Sequence, residues 1–171
     1  MPDPARLPDP ANLPDLQLLR ADHVPALRAF EETNRAYFAA SVPDRGDAFF
    51  RDFDAMCRAR LAEQAAGVCF FHVLVGDGGE ILGRVNLIDM ADGGAELGYR
   101  IAEKAAGRGL ATWAVRRMCG LAGTAYGLTE LRAATTLDNP ASQTVLTRAG
   151  FAPVGNIRLD GRQGISYALT L

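Results

Sequence analysis

Apolar and polar positions follow two rhythms along this chain, one of three to four residues and one of two, and the switches between them mark out its elements. A short apolar run at 16–20 reads as a first strand. Residues 22–40 follow as a helix, with Asp22 as its cap and Pro25 tolerated in the first turn. Beyond the SVPDRGD turn, Phe49, Phe50, Phe53, Met56 and Cys57 recur at spacings of three and four, which places them on one buried helix face. Residues 68–75 are then continuously apolar, GDGG is turn chemistry, and 81–88 alternate, so the pair reads as an antiparallel hairpin.

Asp92-Gly93-Gly94 supplies another turn, and 95–102 form a strand running into the loop KAAGRG. A helix follows, with Leu110, Ala114, Met118, Leu121 and Ala125 along one stripe. Residues 131–137 return as a strand. Asn139 then caps a short helix with Pro140 at its first position, and Gly150 closes it. Strands at 151–157 and 165–169, joined through DGRQG, complete an α/β fold of the α+β kind: a mostly antiparallel sheet of about seven strands flanked by about four helices. Five prolines fall within residues 1–15, which nearly repeat themselves as PDPARLPDPANLPD, so these residues read as an extended tail and 16–171 as one domain.

Composition narrows the function classes. With 171 residues, 49% apolar and 22% charged, the chain sustains a core and is neither a disordered nor a disulfide-scaffold sequence. No apolar run approaches the roughly 18 residues of a membrane span, and no apolar signal core precedes the fold, so a cytoplasmic protein is expected. A net charge of −2 provides no general drive toward nucleic acid or anionic lipid. Cys57, Cys69 and Cys119 lack metal-ligand spacing and read as reduced thiols, with no metal expected. Lys104 is the only lysine among the basic residues, and no function is drawn from that.

The phosphate-binding motifs of nucleoside triphosphatases and dinucleotide oxidoreductases are absent: there is no GxxxxGK[ST], and the glycine loop lacks GxGxxG spacing. His23 and His72 sit at a helix start and in an apolar strand and read as structural, leaving no Ser/His/Asp arrangement. The segment Ala106-Gly107-Arg108-Gly109-Leu110-Ala111-Thr112 remains. It places glycines where a strand becomes a helix, which frees backbone N–H groups to face an anion, although two glycines before a helix also serve as plain turn and cap.

The order of pieces says more than any one of them. Glu96-Leu97-Gly98-Tyr99-Arg100-Ile101, then GRGLAT, a helix, a strand, and Asp138-Asn139-Pro140-Ala141-Ser142 running to Arg148-Ala149-Gly150-Phe151 together resemble the GNAT N-acetyltransferase superfamily and its RimJ/RimL-type branch. The likeness spans residues 82–168, and Phe30-Glu31-Glu32-Thr33-Asn34-Arg35 also looks like the first-helix end of that branch. In the superfamily the loop has the form [Gln/Arg]-x-x-Gly-x-[Gly/Ala]. Gly109 and Ala111 match, while Ala106 stands where Gln or Arg is usual, which removes a side chain but no backbone donor.

The resemblance implies acetyl-coenzyme A, with its pyrophosphate on the N–H groups of Gly107, Arg108, Gly109, Leu110, Ala111 and Thr112, and Arg108 adding charge. Its pantetheine arm would run beside a splayed strand edge at Tyr99 to Ile101, for which a bulge at Gly98 is suited. Asn139 would contact the arm while capping its helix. Glu96, on the strand feeding the loop, is the candidate base, acting through water, or else a solvent-facing strand carboxylate; the resemblance gives Ser142 as donor to the leaving thiolate, or else it serves in capping its helix, and Tyr126 and Tyr167 read as packing. The acceptor is expected between the first two helices and the 68–88 hairpin, where Glu31, Glu32, Asn34 and Asn86 would face a cationic amine. The implied activity is N-acetylation of a protein or peptide α-amine, as for ribosomal-protein alanine, by direct attack through a tetrahedral intermediate. An α-amine has a reference pKa near 8 and needs only a modest base. Acetylation of a small amine, antibiotic or aminoacyl conjugate, or a non-catalytic coenzyme A sensor, are the alternatives, and a homodimer is plausible.

Overall fold

The computed structural model describes residues 8–171; Pro2 and Pro4 of the expected tail lie outside them. Seven strands form one sheet: β1 (Asp15–Leu18), β2 (Phe70–Val75), β3 (Ile81–Ala91), β4 (Gly94–Ile101), β5 (Glu130–Thr136), β6 (Ala152–Leu159) and β7 (Arg162–Thr170). Their order is β1-β2-β3-β4-β5-β7-β6, and only β4 and β5 run parallel. The sheet matches the expected strand count and its mostly antiparallel character. The end of the tail is more structured than its composition suggests. Asp9 caps a single 3-10 turn at Pro10–Asn12, Pro14 is buried, and Asp15 already belongs to β1.

Among the described residues six α-helices cover the sheet where about four were expected: α1 (Val24–Thr33), α2 (Arg35–Ala39), α3 (Asp47–Arg51), α4 (Phe53–Ala65), α5 (Leu110–Thr124) and α6 (Pro140–Arg148). Both long N-terminal helices are broken in two, at Asn34 and at Asp52, each with φ −101°. Asp22 is not the cap of the first. A 3-10 turn at Ala21–His23 precedes α1, and His23 Nδ1 accepts the Arg20 N–H at 3.0 Å, while the Asp22 carboxylate is held by the Arg20 guanidinium at 3.1 Å. His23 stands at the third position of the turn, and its ring nitrogen takes the Arg20 N–H as the glutamate of a capping box would.

The two sheet faces bury different cores. On one, Leu74, Val85, Leu87, Leu97 and Leu131 pack against Leu110, Ala114, Val115 and Met118 of α5 and Leu146 of α6. The α5 stripe is as expected at its start and drifts at its end, where Ala122 is buried and Ala125 exposed. On the other face, Leu27 and Phe30 of α1, Phe38 of α2, and Phe53 and Cys57 of α4 pack over Val73, Ile81 and Ala102. Each fully buried large apolar side chain contributes about 1.5–3 kcal/mol. Arginines hold the short helices down: guanidinium groups of Arg28, Arg35, Arg45 and Arg100 lie 4.4–5.2 Å from the ring centres of Phe53, Phe50, Phe49 and Phe38. Tyr167 is buried in the first core, and Tyr126 stacks on Phe70 at 3.8 Å, so both phenols pack.

His72, on β2, is 3% exposed; its Nε2 lies 2.8 Å from the Tyr126 hydroxyl and its Nδ1 has no partner. Burial pushes the imidazole down from 6.5 to about 4. The unfolded chain therefore binds a proton there before the folded one does, and stability present above pH ~6.5 falls as pH drops toward ~4, by an amount on the order of 3 kcal/mol. Chemical denaturation between about pH 7 and 4 should show this slope, and His72→Gln should flatten it.

Candidate active site

The parallel ladder between β4 and β5 is short. Gly94 pairs with Glu130, Ala95 with Leu131 and Glu96 with Arg132, and there it ends. β4 stays paired to β3 on its other edge through Ile101, and β5 to β7 through Thr136, so the two strands part as rigid walls. Between them opens a cleft of about 770 Å³, walled by Leu97 to Ile101 on one side and Ala133 to Thr136 on the other. The backbone groups on these facing edges have no ladder partner across the gap. The splayed edge expected at Tyr99 to Ile101 is therefore present, but Gly98 is not its cause. Gly98 pairs in regular register with Asn86, and the irregularity of the β3–β4 ladder lies between Ile88 and Ala91.

The glycine loop closes one end of the cleft. Gly107 and Gly109 have φ of 73° and 75°, a conformation open to glycine at little cost. No side chain caps α5, and its first internal hydrogen bond runs from Trp113 N–H to the Gly109 carbonyl. The N–H groups of Leu110, Ala111 and Thr112 precede that bond, at the positive end of a 15-residue helix. Gly107, Gly109, Leu110, Ala111 and Thr112 all line the cleft; Arg108 is exposed and does not. Tyr37, Phe38 and Pro43 border it on one side, and Leu159 and Arg162 from the β6–β7 hairpin on the other. No sequence motif marks these border residues; they meet only through the fold.

Tyr99, Ile101, Asn139 and Ser142 also line the cleft. Asn139 caps α6, its Oδ1 accepting the Ser142 N–H at 3.2 Å. That fixes the first turn and aims the Ser142 side chain at β4, where the Tyr99 hydroxyl donates to Ser142 Oγ at 3.3 Å. Burial pushes the Tyr99 phenol above its ordinary range, against a smaller opposing effect of Ser142. Glu96 sits half-buried at the fork itself, beside Ile88 and Arg132 across the ladders, and does not line the cleft. Strand alternation puts it on the same face as Gly98 and Arg100.

The expected amine-binding residues have other partners. Glu31 is 1% exposed, with Oε1 2.9 Å from Arg84 and Oε2 3.3 Å from Arg100. Its charge is already countered, so it is not an open acceptor for a cationic amine. The Arg84 contact is ionic rather than directed, since Oε1 receives no aligned N–H. Burial pushes Arg84 down to about 10, with Glu31 holding it up and Arg45 and Arg100 adding to the fall. Asn34 is buried and structural: its Nδ2 donates to the Phe30 carbonyl at 2.8 Å, and its Oδ1 accepts the Glu103 N–H at 3.0 Å. Asn34 thus ties the α1–α2 break to the turn that begins the glycine loop. Glu32 pairs with Arg28 at 3.6 Å. Asn86 faces a separate cavity of about 580 Å³ beneath α4, outside the cleft. Arg84 and Arg100 were the missed residues here; guanidinium groups at inward strand positions were their signal.

Residues 15–152 match the family described as Acetyltransferase (GNAT) domain. No curated protein matches the chain significantly in sequence. Among solved structures, ribosomal-protein-S5-alanine acetyltransferase from Vibrio fischeri superposes with a TM-score of 0.85 at 20% identity, over 91% of each chain. RimJ from Mycobacterium smegmatis, in complex with CoA-disulfide, gives 0.84 at 24% identity over 96% of this chain and 85% of that one. Spermidine N-acetyltransferase from Vibrio cholerae, bound to CoA and spermine, gives 0.76 at 16% identity over 91% and 94%.

The Asn34 bridge gives a test of how the loop is held. Asn34→Ala leaves a buried Glu103 N–H without its acceptor and should cost about 1–3 kcal/mol. Hydrogen exchange should accelerate at residues 103–109 more than in the β2–β3 hairpin; uniform acceleration would show that Asn34 supports the fold generally and not the loop.

Proposed function

The chain belongs to the GNAT acetyltransferase family, and from that premise we propose that it moves the acetyl group of acetyl-coenzyme A to the N-terminal α-amine of a protein or peptide. The carrying observation is the cleft itself: two strand edges with unpaired backbone groups, ending over the uncapped start of α5. The fit is physical. A diphosphate meets the N–H groups after Gly109, and an amide-bearing arm pairs with the open edge of β4 as an added strand would. The loop faces open space at Gly107, and the φ of 73° there is what calls for glycine. Acetyl-coenzyme A supplies an activated thioester whose thiolate leaves readily.

This chain's residues supply the rest. An N–H on the free edge of β4 near Tyr99 is fixed before reaction and suits a developing oxyanion. The Ser142 hydroxyl, held in place by Asn139 and Tyr99, donates a hydrogen bond to the departing sulfur, which leaves as the thiolate and takes its proton from solvent. Glu96 draws the proton from the attacking amine through water, approaching from its face of the fork. About a tenth of a free α-amine is neutral at pH 7, so this modest base is enough. The ribosomal-protein-S5-alanine enzyme and RimJ among the structural neighbours, together with the NPAS…AGF stretch, support the α-amine acceptor. Spermidine acetyltransferase shares the fold, so small amines belong in the test.

Release of free coenzyme A from acetyl-coenzyme A, measured with peptides bearing Ala, Ser or Met N-termini and with small amines, tests the reading; turnover of small amines alone would replace it. Gly109→Val forces a β-branched residue to a positive φ within the loop and should weaken coenzyme A binding more than about tenfold by calorimetry. Ser142→Ala should lower kcat by about tenfold to a hundredfold with little change in the KM for acetyl-coenzyme A. If Ser142→Ala and Glu96→Gln both keep full turnover from about pH 6 to 9, the assigned roles fail while the enzyme class stands.

A further inference from the structure

Cations, rather than carboxylates, line the expected acceptor wall. Arg84 on β3 and Arg100 on β4 share the single carboxylate of Glu31, and Arg45, in the turn before α3, lies close enough to lower the affinity of both for their protons. The nearby acids already have partners. Asp44 is bound by Arg35 at 2.7 Å and its charge also supports Arg100, while Glu63 is bound by Arg60 at 2.8 Å. Glu96 lies beside Arg132 at the fork, and Asp89 is exposed at the cavity rim. Four guanidinium groups, of Arg35, Arg45, Arg84 and Arg100, thus share three carboxylates, of Glu31, Asp44 and Asp47, and Arg84 and Arg100 are largely buried, a cationic excess that favours an arriving anion.

These cations adjoin the reacting end of the cleft. Arg84 pairs in register with Arg100, and Asn86 with Gly98, so all four project from one sheet face. Arg45, Arg84 and Asn86 line the 580 Å³ cavity, while Gly98 and Arg100 line the 770 Å³ cleft. The two spaces therefore adjoin on neighbouring strands. We propose that the acceptor is an amine carrying an anionic group close to the reacting nitrogen: in a protein substrate, an acidic side chain at the second or third residue. Gly98 and Arg100 stand about 7 Å apart along β4, the advance of two residues in an extended peptide, which sets that spacing. The proposal rests on the acetyltransferase reading of the cleft, and it makes a polyamine a poor acceptor, since its further ammonium groups would meet Arg45 and Arg84.

The test compares kcat/KM for coenzyme A release with three peptides, Ala-Asp-Glu, Ala-Gln-Gln and Ala-Lys-Arg, each extended by the same neutral tail, together with glutamate, O-phosphoethanolamine and spermidine. The acidic peptide should exceed the basic one by about tenfold or more, and Arg45→Glu, at an exposed position, should collapse or reverse that ratio. A merely structural effect of Arg45→Glu would lower both peptides together and leave the ratio standing. A wild-type ratio near one, a preference for the basic peptide or spermidine, or a ratio unmoved by Arg45→Glu overturns the proposal. Turnover of glutamate or O-phosphoethanolamine without any peptide upholds the charge rule and replaces the peptide acceptor by a small anionic amine. Silence with every acceptor while calorimetry still shows acetyl-coenzyme A binding overturns this inference alone; loss of that binding overturns the acetyltransferase reading beneath it.

Discussion

A parallel ladder of three residue pairs, Gly94 to Glu96 against Glu130 to Arg132, is the joint on which the site depends. Continued pairing would give a closed sheet with every central edge satisfied. Interrupted pairing leaves backbone groups of Leu97 to Ile101 and Ala133 to Thr136 facing an open cleft, where water or the amides of a bound ligand can satisfy them. The strands can part because each is anchored on its far side, β4 to the β3 hairpin and β5 to β7. The second anchor is tight: a Cβ on Gly164 would come within 2.6 Å of the Thr135 carbonyl oxygen, so β7 lies as close to the wall of the cleft as a glycine permits. Leu110 of α5 and Leu146 of α6 line the cleft between the parted strands and belong to the core packed against them.

Charge in the N-terminal half has a similar economy. Arginine is nearly the sole basic residue, and the fold uses what distinguishes it from lysine: a flat, weakly hydrated cation that covers phenyl rings while bonding carboxylates. Arg35 lies over Phe50 and binds Asp44 and Asp47, closing the segment between α2 and α3. Arg100 lies over Phe38 and contacts Glu31, joining α2 to β4. Glu31 is therefore structural before it is anything else. Removing it would strand two arginines beneath α1, a loss on the order of 3–5 kcal/mol.

The sequence was most legible where local chemistry and periodicity agree. Asn139-Pro140 opened α6 as read, the Gly107 and Gly109 loop fell at a strand-to-helix junction, and the alternating strands paired as a hairpin. The helix breaks at Asn34 and Asp52 were not legible, because apolar spacing continues through both; Asn34 ends α1 only because its side chain is occupied by Phe30 and Glu103, partners that tertiary structure supplies. Glu31 misled for a related reason. A pair of glutamates at a helix end usually faces solvent, and nothing local to Glu31 tells it from Glu32, yet one is buried against two strands and the other exposed. The gap between β4 and β5 is a property of how four strands pair, β3 with β4 and β5 with β7, and its residues carried a signal only through resemblance.

The two ends of the site are mechanically joined through these same contacts. α1 carries Glu31, which contacts Arg84 on β3 and Arg100 on β4, and three residues later Asn34 holds the turn leading into the glycine loop. The break at Asn34 leaves that side chain free to accept the Glu103 N–H, while Glu31, just before it on α1, holds the two arginines, so one short element ties the sheet face beneath α1 to the start of the glycine loop.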